Sequence, residues 1–62
     1  MNLKDRIKAI AKAKKIPVYK VEQEAGIPKG SISKWTKSMP SADKLENVAD
    51  VLGVTTKMLL KD

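Results

Sequence analysis

The 62-residue sequence predicts an all-α fold, a compact bundle of five short helices. Three observations lead there. Apolar residues recur at helical spacing, most clearly in Leu3, Ile7, Ile10 and Ala11 and in Leu45, Val48, Ala49 and Leu52, and no stretch alternates with period two. Caps and breakers fall between these runs: Asn2, Pro17, Gly26, Pro28, Pro40, Ser41, Gly53 and Thr55. The connections between the runs are short, with no repeat or low-complexity segment. Residues 1–62 are therefore expected to form one domain. A chain of this size buries only about 60% of its unfolded surface, so its core is marginal.

The composition narrows the function. There is no Cys and no His, which removes disulfides, thiolate metal sites and the commonest general base. Asp43, Glu46 and Asp50 share a polar helix face, not an apolar pocket that would shift a carboxyl pKa. No phosphate loop or metal spacing is present. The expectation is a non-enzyme with no cofactor, no metal and no small-molecule substrate. No apolar run is long enough for a membrane span and no h-region follows Met1, so a cytoplasmic protein is expected. The formal net charge is +6. It sits in one place: residues 1–20 carry Lys4, Arg6, Lys8, Lys12, Lys14, Lys15 and Lys20 against Asp5, whereas residues 21–62 balance to zero. Such a surface attracts nucleic acid or anionic membrane, and it also serves solubility.

In order, the first helix is expected to be capped by Asn2 with Asp5 in its first turn. It would present Leu3, Ile7, Ile10, Ala11 and the stem of Lys14 inward. Lys4, Lys8, Lys12 and Lys15 form an outer stripe, mainly a solvated face. Ile16-Pro17 ends this helix, and Pro17 can begin the next. The second helix turns Val18, Val21 and Ala25 inward and Lys20 and Gln23 outward, with Tyr19 lateral. Gly26 supplies the left-handed stop and Ile27 drops into the core. Pro28 then starts a third helix in which Ile32 and Trp35 share a face. Gly30, Ser33, Lys34 and Lys37 point the other way, with Lys29 at the edge. Residues 18–37 thus read as helix, tight turn, helix, with a bulk-free and acid-free side that fits a polyanionic groove. Residues 37–40 form a loop, Ser41 caps a fourth helix with Asp43 in its first turn, and Gly53 ends it. Thr55 caps a short fifth helix from Thr56 to about Lys61, with Met58, Leu59 and Leu60 apolar.

These residues, from 3 to 60, resemble the Cro and phage-repressor family, with its compact lambda-repressor-like domain. The resemblance rests on Ile7 and Ile10, Val21, Ala25-Gly26-Ile27, Ser31-Ile32, Pro40, Leu45, Val48-Ala49, Leu52-Gly53-Val54 and Met58-Leu59-Leu60. The run Gly30-Ser31-Ile32-Ser33-Lys34-Trp35 is similar to repressors of Gram-positive phages and mobile elements. The resemblance implies a domain that binds double-stranded operator DNA as a homodimer, with the third helix in the major groove. Matched by position, it puts base reading at Lys29, Gly30, Ser33 and Lys34, and a phosphate or base-edge contact at Ser31. The segment from Lys37 to Ser41 would lie along the backbone, with amides at the start of the fourth helix offered to a phosphate. Dimer contacts would fall on Val54, Thr55, Thr56 and Lys57.

Three departures stand out. Val18 replaces a phosphate-gripping Gln, which leaves Tyr19 or Lys20 to substitute. Glu22 replaces a small Ala where the second helix crosses the third, so its carboxylate must tilt outward or meet a cation such as Lys29 or Lys34. Ala11 and Thr36 stand where many members bury an Arg–Glu pair; losing both partners leaves no orphan charge.

Several residues admit two roles. Trp35 either packs in the core or stacks on a base. Tyr19 is a phosphate contact or an exposed spacer. Lys34 reads a base or a phosphate. Gly30 permits close approach or is simply a weak helix position. Ser31 and Ser33 touch DNA or are small exposed residues, and Met58, Leu59 and Leu60 belong to the core or to a subunit contact. The function expected is a sequence-specific transcriptional regulator. The alternative is a protein-interaction module, an antitoxin or antirepressor-type adaptor, motivated by Glu22, Val18 and the low count of base-reading amides.

Overall fold

Asn2 opens the first helix as its composition predicts. In the computed structural model, which describes residues 2–60, its side-chain oxygen accepts the Asp5 amide at 2.8 Å, and α1 runs Leu3–Ala13. Leu3, Ile7 and Ala11 are buried along one face, and Ile10 packs partly against it. The helix does not wait for Pro17 to end. Lys15 takes a left-handed φ of 60°, the Lys15 amide donates to the Lys12 carbonyl and the Ile16 amide to the Ala11 carbonyl. That is a Schellman closure built on a lysine. Lys14 is consequently the cap, exposed, and not part of the inner face. A side chain in this region costs about 1–2 kcal/mol, partly offset by the flexibility a glycine would add to the unfolded chain. Lys15→Gly is therefore expected to raise stability by about 0.5–1 kcal/mol in urea unfolding; a loss would show that the lysine side chain outweighs its strain.

Helix α2, Val18–Ala25, buries Val21, Glu22 and Ala25 and ends at Gly26 with φ 74°. Helix α3, Ala42–Leu52, is capped by the Ser41 hydroxyl, which accepts the Lys44 amide at 3.4 Å, and buries Leu45, Val48, Ala49 and Leu52. Helix α4, Thr56–Leu60, opens with the Thr55 hydroxyl accepting the Met58 amide at 3.2 Å. Only Leu59 of its apolar triplet is buried; Met58 and Leu60 are about half exposed. Lys61 lies outside the described residues.

The structure has four α-helices among the described residues, not the expected five, and no strand among them. The segment read as a third helix is a chain of turns with a single 3-10 turn at Ile32–Lys34. Its hydrogen bonds run three residues back: Ser31 to Pro28, Lys34 to Ser31 and Trp35 to Ile32, each N–H donating to the earlier carbonyl. Gly30, with φ 89°, interrupts any helix from Pro28. The inner face survives this change, because residues three apart eclipse one another in a 3-10 turn. Ile32 and Trp35 are both buried.

The core joins Leu3, Ile7, Ala11, Val21, Ala25, Ile27, Ile32, Trp35, the α3 stripe and Leu59. Helix α2 packs against α3, while α1 packs against α2, α4 and the 3-10 turn. The turn segment is thus backed by α1 and held at the end of α2. No helix among the described residues is long and apolar enough to cross a membrane.

Candidate nucleic-acid interface

The surface of interest begins where α2 ends. Gly26 reverses the chain, its amide donating to the Gln23 carbonyl and that of Ile27 to the Glu22 carbonyl. Ile27 plugs into the core and Pro28 leads outward. From there Lys29, Ser33, Lys34 and Lys37 are exposed, and Gly30 and Ser31 are half-buried. The Ser31 hydroxyl donates to the Pro28 carbonyl at 2.7 Å, so its proton is used to hold the turn and its oxygen is left as an acceptor. Three lysines and a serine therefore stand over an apolar anchor of Ile32 and Trp35. Trp35, 7% exposed, belongs to that anchor and offers no face for base stacking.

Glu22 is the part of this site that the sequence reading misassigned. It is 3% exposed and meets neither Lys29 nor Lys34. Its Oε1 accepts the Gly30 amide and its Oε2 the Ile32 amide, both at 3.0 Å. Charge-assisted bonds from two backbone donors are strong enough to compensate a buried carboxylate. No buried side-chain nitrogen or oxygen among the described residues is left without a partner. The available signal was positional: Glu22 lies four residues after Val18 and three before Ala25, both inward positions, with a glycine eight residues on. Thr36 also differs from expectation. It is exposed, so it is not the inner counterpart of buried Ala11.

The flanking candidates sit at the rim. Tyr19 is 60% exposed and lines a shallow groove with Glu22, Gln23, Ile27 and Lys29. Lys20 and Ser41 are exposed. A second groove, lined by Lys8, Lys12 and Lys15 together with Val18, brings the lysine-rich side of α1 beside the start of α2; Lys4 is half-buried rather than fully outside. Met39, 64% exposed in the loop before α3, was not singled out from the sequence. At the start of α4, Thr55 and Lys57 are exposed and Val54 and Thr56 half-buried. Thr55, Thr56 and Lys57 line an open hollow with Met58 and Leu60. Among the described residues no cluster of three or more acids could hold a metal ion.

This arrangement offers cations and hydroxyls without an exposed acid among residues 27–41, a surface suited to phosphates and base edges. A search of curated proteins returned no match. The family model for helix-turn-helix proteins matches residues 7–59, from the inner face of α1 to the buried leucine of α4. The chain therefore belongs to the helix-turn-helix family of the Cro/C1 type, a family of DNA-binding regulators rather than of enzymes.

Proposed function

We propose that this chain is a sequence-specific transcriptional regulator of the phage Cro or repressor type, acting in the cytoplasm on double-stranded operator DNA. The 28–35 segment enters the major groove. Lys29, Gly30, Ser31, Ser33 and Lys34 face base edges, Ser31 as an acceptor for a base amino group because its proton is held by the Pro28 carbonyl, and Tyr19, Lys20, Lys37 and Ser41 face phosphates. The observation that carries this reading is the exposure of Lys29, Ser33, Lys34 and Lys37 over a buried Ile32–Trp35 anchor. Regulation is by occlusion of a promoter, without catalysis or cofactor. Two copies pair through Val54, Thr55, Thr56 and Lys57, extended by the half-exposed Met58 and Leu60. A two-fold operator follows, with half-site centres about 34–36 Å apart.

Binding-site selection from random duplexes, with footprinting and sedimentation of the complex, tests the reading. The expected result is one enriched two-fold sequence bound by two chains. With on the order of six phosphate contacts, affinity should fall about a thousandfold between roughly 50 and 200 mM salt. Absence of any footprint at low salt, or a flat salt profile, would overturn it. The adaptor alternative loses one of its motives, because the Glu22 carboxylate is satisfied within the domain. A stoichiometric protein partner without DNA retention would restore it.

A further inference from the structure

We propose that Glu22 is the positioning residue of the DNA-reading segment, and that its grip on the Gly30 and Ile32 amides sets discrimination between operator and random DNA. This rests on the proposed DNA-reading role of residues 28–35.

An α-helix fixes its own side chains by repeating backbone bonds. The 28–35 segment has no such ladder, only three bonds of the i to i−3 kind. A 3-10 turn of three residues holds itself weakly. What ties this segment to the rest of the domain, besides the packing of Ile32 and Trp35, is the pair of bonds to Glu22. They arrive from α2, the element directly before the turn, and they grip at both sides of Ser31. Gly30 is the matching half of the device. Its φ of 89° is a conformation that L side chains rarely adopt, and it coexists with the amide's bond to Oε1. No atom lies within 4 Å of where its Cβ would stand, so space is not what requires a glycine there; the backbone conformation is.

The grip fixes the residues around it. Lys29 directly precedes Gly30, and Ser33 and Lys34 directly follow Ile32. Rotation of the 30–32 peptides would swing all three. Base reading needs each of them placed within a fraction of an ångström, whereas phosphate attraction tolerates looser placement. Releasing Glu22 should therefore harm selectivity more than general affinity.

The experiment compares the wild type with Glu22→Gln and Glu22→Ala on the selected operator and on random duplex at one salt concentration, with amide hydrogen exchange on the free proteins. Gln keeps one acceptor oxygen and turns an NH2 donor on the other amide. The expected result is a loss of about tenfold or more in the operator-to-random affinity ratio for both variants. Affinity for random DNA should change much less. Protection of the Gly30 and Ile32 amides should fall while that of Val21 and Val48 persists, which separates a local release from global unfolding. If Glu22→Ala does not fold, Glu22→Gln carries the comparison. Wild-type selectivity in a folded variant overturns the inference, as does exchange of the wild-type Gly30 and Ile32 amides at the unprotected rate. A wild type that selects no operator instead overturns the proposed function, and the exchange measurement still reads the grip.

Discussion

Trp35→Ala is expected to leave about half of the molecules or more unfolded at 25 °C. Trp35 is the largest side chain in the core and is 7% exposed. Truncating a buried aromatic to Ala costs about 3–5 kcal/mol. A core of this size rarely supplies more than about 3–5 kcal/mol. The loss therefore consumes essentially the whole margin, leaving about half of the molecules or fewer folded. Far-UV circular dichroism against temperature checks this. A 1 kcal/mol loss lowers Tm by about 4–8 °C in a domain of this length. A shift under about 5 °C would therefore mean that the tryptophan is not packed as described. The wild type adds a second reading, since Trp35 is the one tryptophan. Its emission should be that of a shielded indole and should change little when duplex is added. Strong quenching by DNA would place the ring on a base after all.

Lys34→Ala is expected to weaken operator binding by about 1–3 kcal/mol while affecting random DNA far less, if Lys34 reads a base edge. Lys34 closes the 3-10 turn and is exposed, one residue before the Trp35 anchor. A long side chain that leaves a fixed turn can reach guanine O6 and N7. Lys8→Ala is the control, because Lys8 lies on the exposed side of α1 and contributes charge without belonging to the reading segment. Its loss should weaken operator and random duplex alike. Titration of each variant into both duplexes at matched salt separates the cases. Equal losses for Lys34→Ala on the two duplexes would make Lys34 a phosphate contact and shift the reading to Lys29 and Ser33.

Much of the fold was legible because the rules that specify it are local. Asn2, Ser41 and Thr55 cap because an oxygen at that position reaches an amide three residues on. Gly26 and Gly53 stop helices because they enter the left-handed region without a Cβ penalty. The inner face of Ile7, Val21, Ile32, Val48 and Leu52 follows from spacing alone. Lys15 shows where the local rules weaken. It takes the same closing conformation without being Gly or Asn, so Pro17 drew the boundary too late.

By itself, the sequence determined the apolar inner face (though not the places of Lys14 and Glu22), where α1, α2 and α3 begin or end on a cap, and that the family is helix-turn-helix. It also determined which cations stand outside near residues 29–37. Only the tertiary structure decided the form of the 28–35 segment and the fate of Glu22. Periodicity counts residues three and four apart, and Ile32 with Trp35 satisfies an α-helix and a 3-10 turn equally. The turn form goes with Gly30 at φ 89° and with a carboxylate eight and ten residues upstream, which accepts two backbone amides across the turn. Bonds of that kind join one element to the backbone of the next. The spacing from Val18 and Ala25 turns Glu22 inward, but no pattern of side chains names the amides it meets, because backbone amides are the same at every residue but proline.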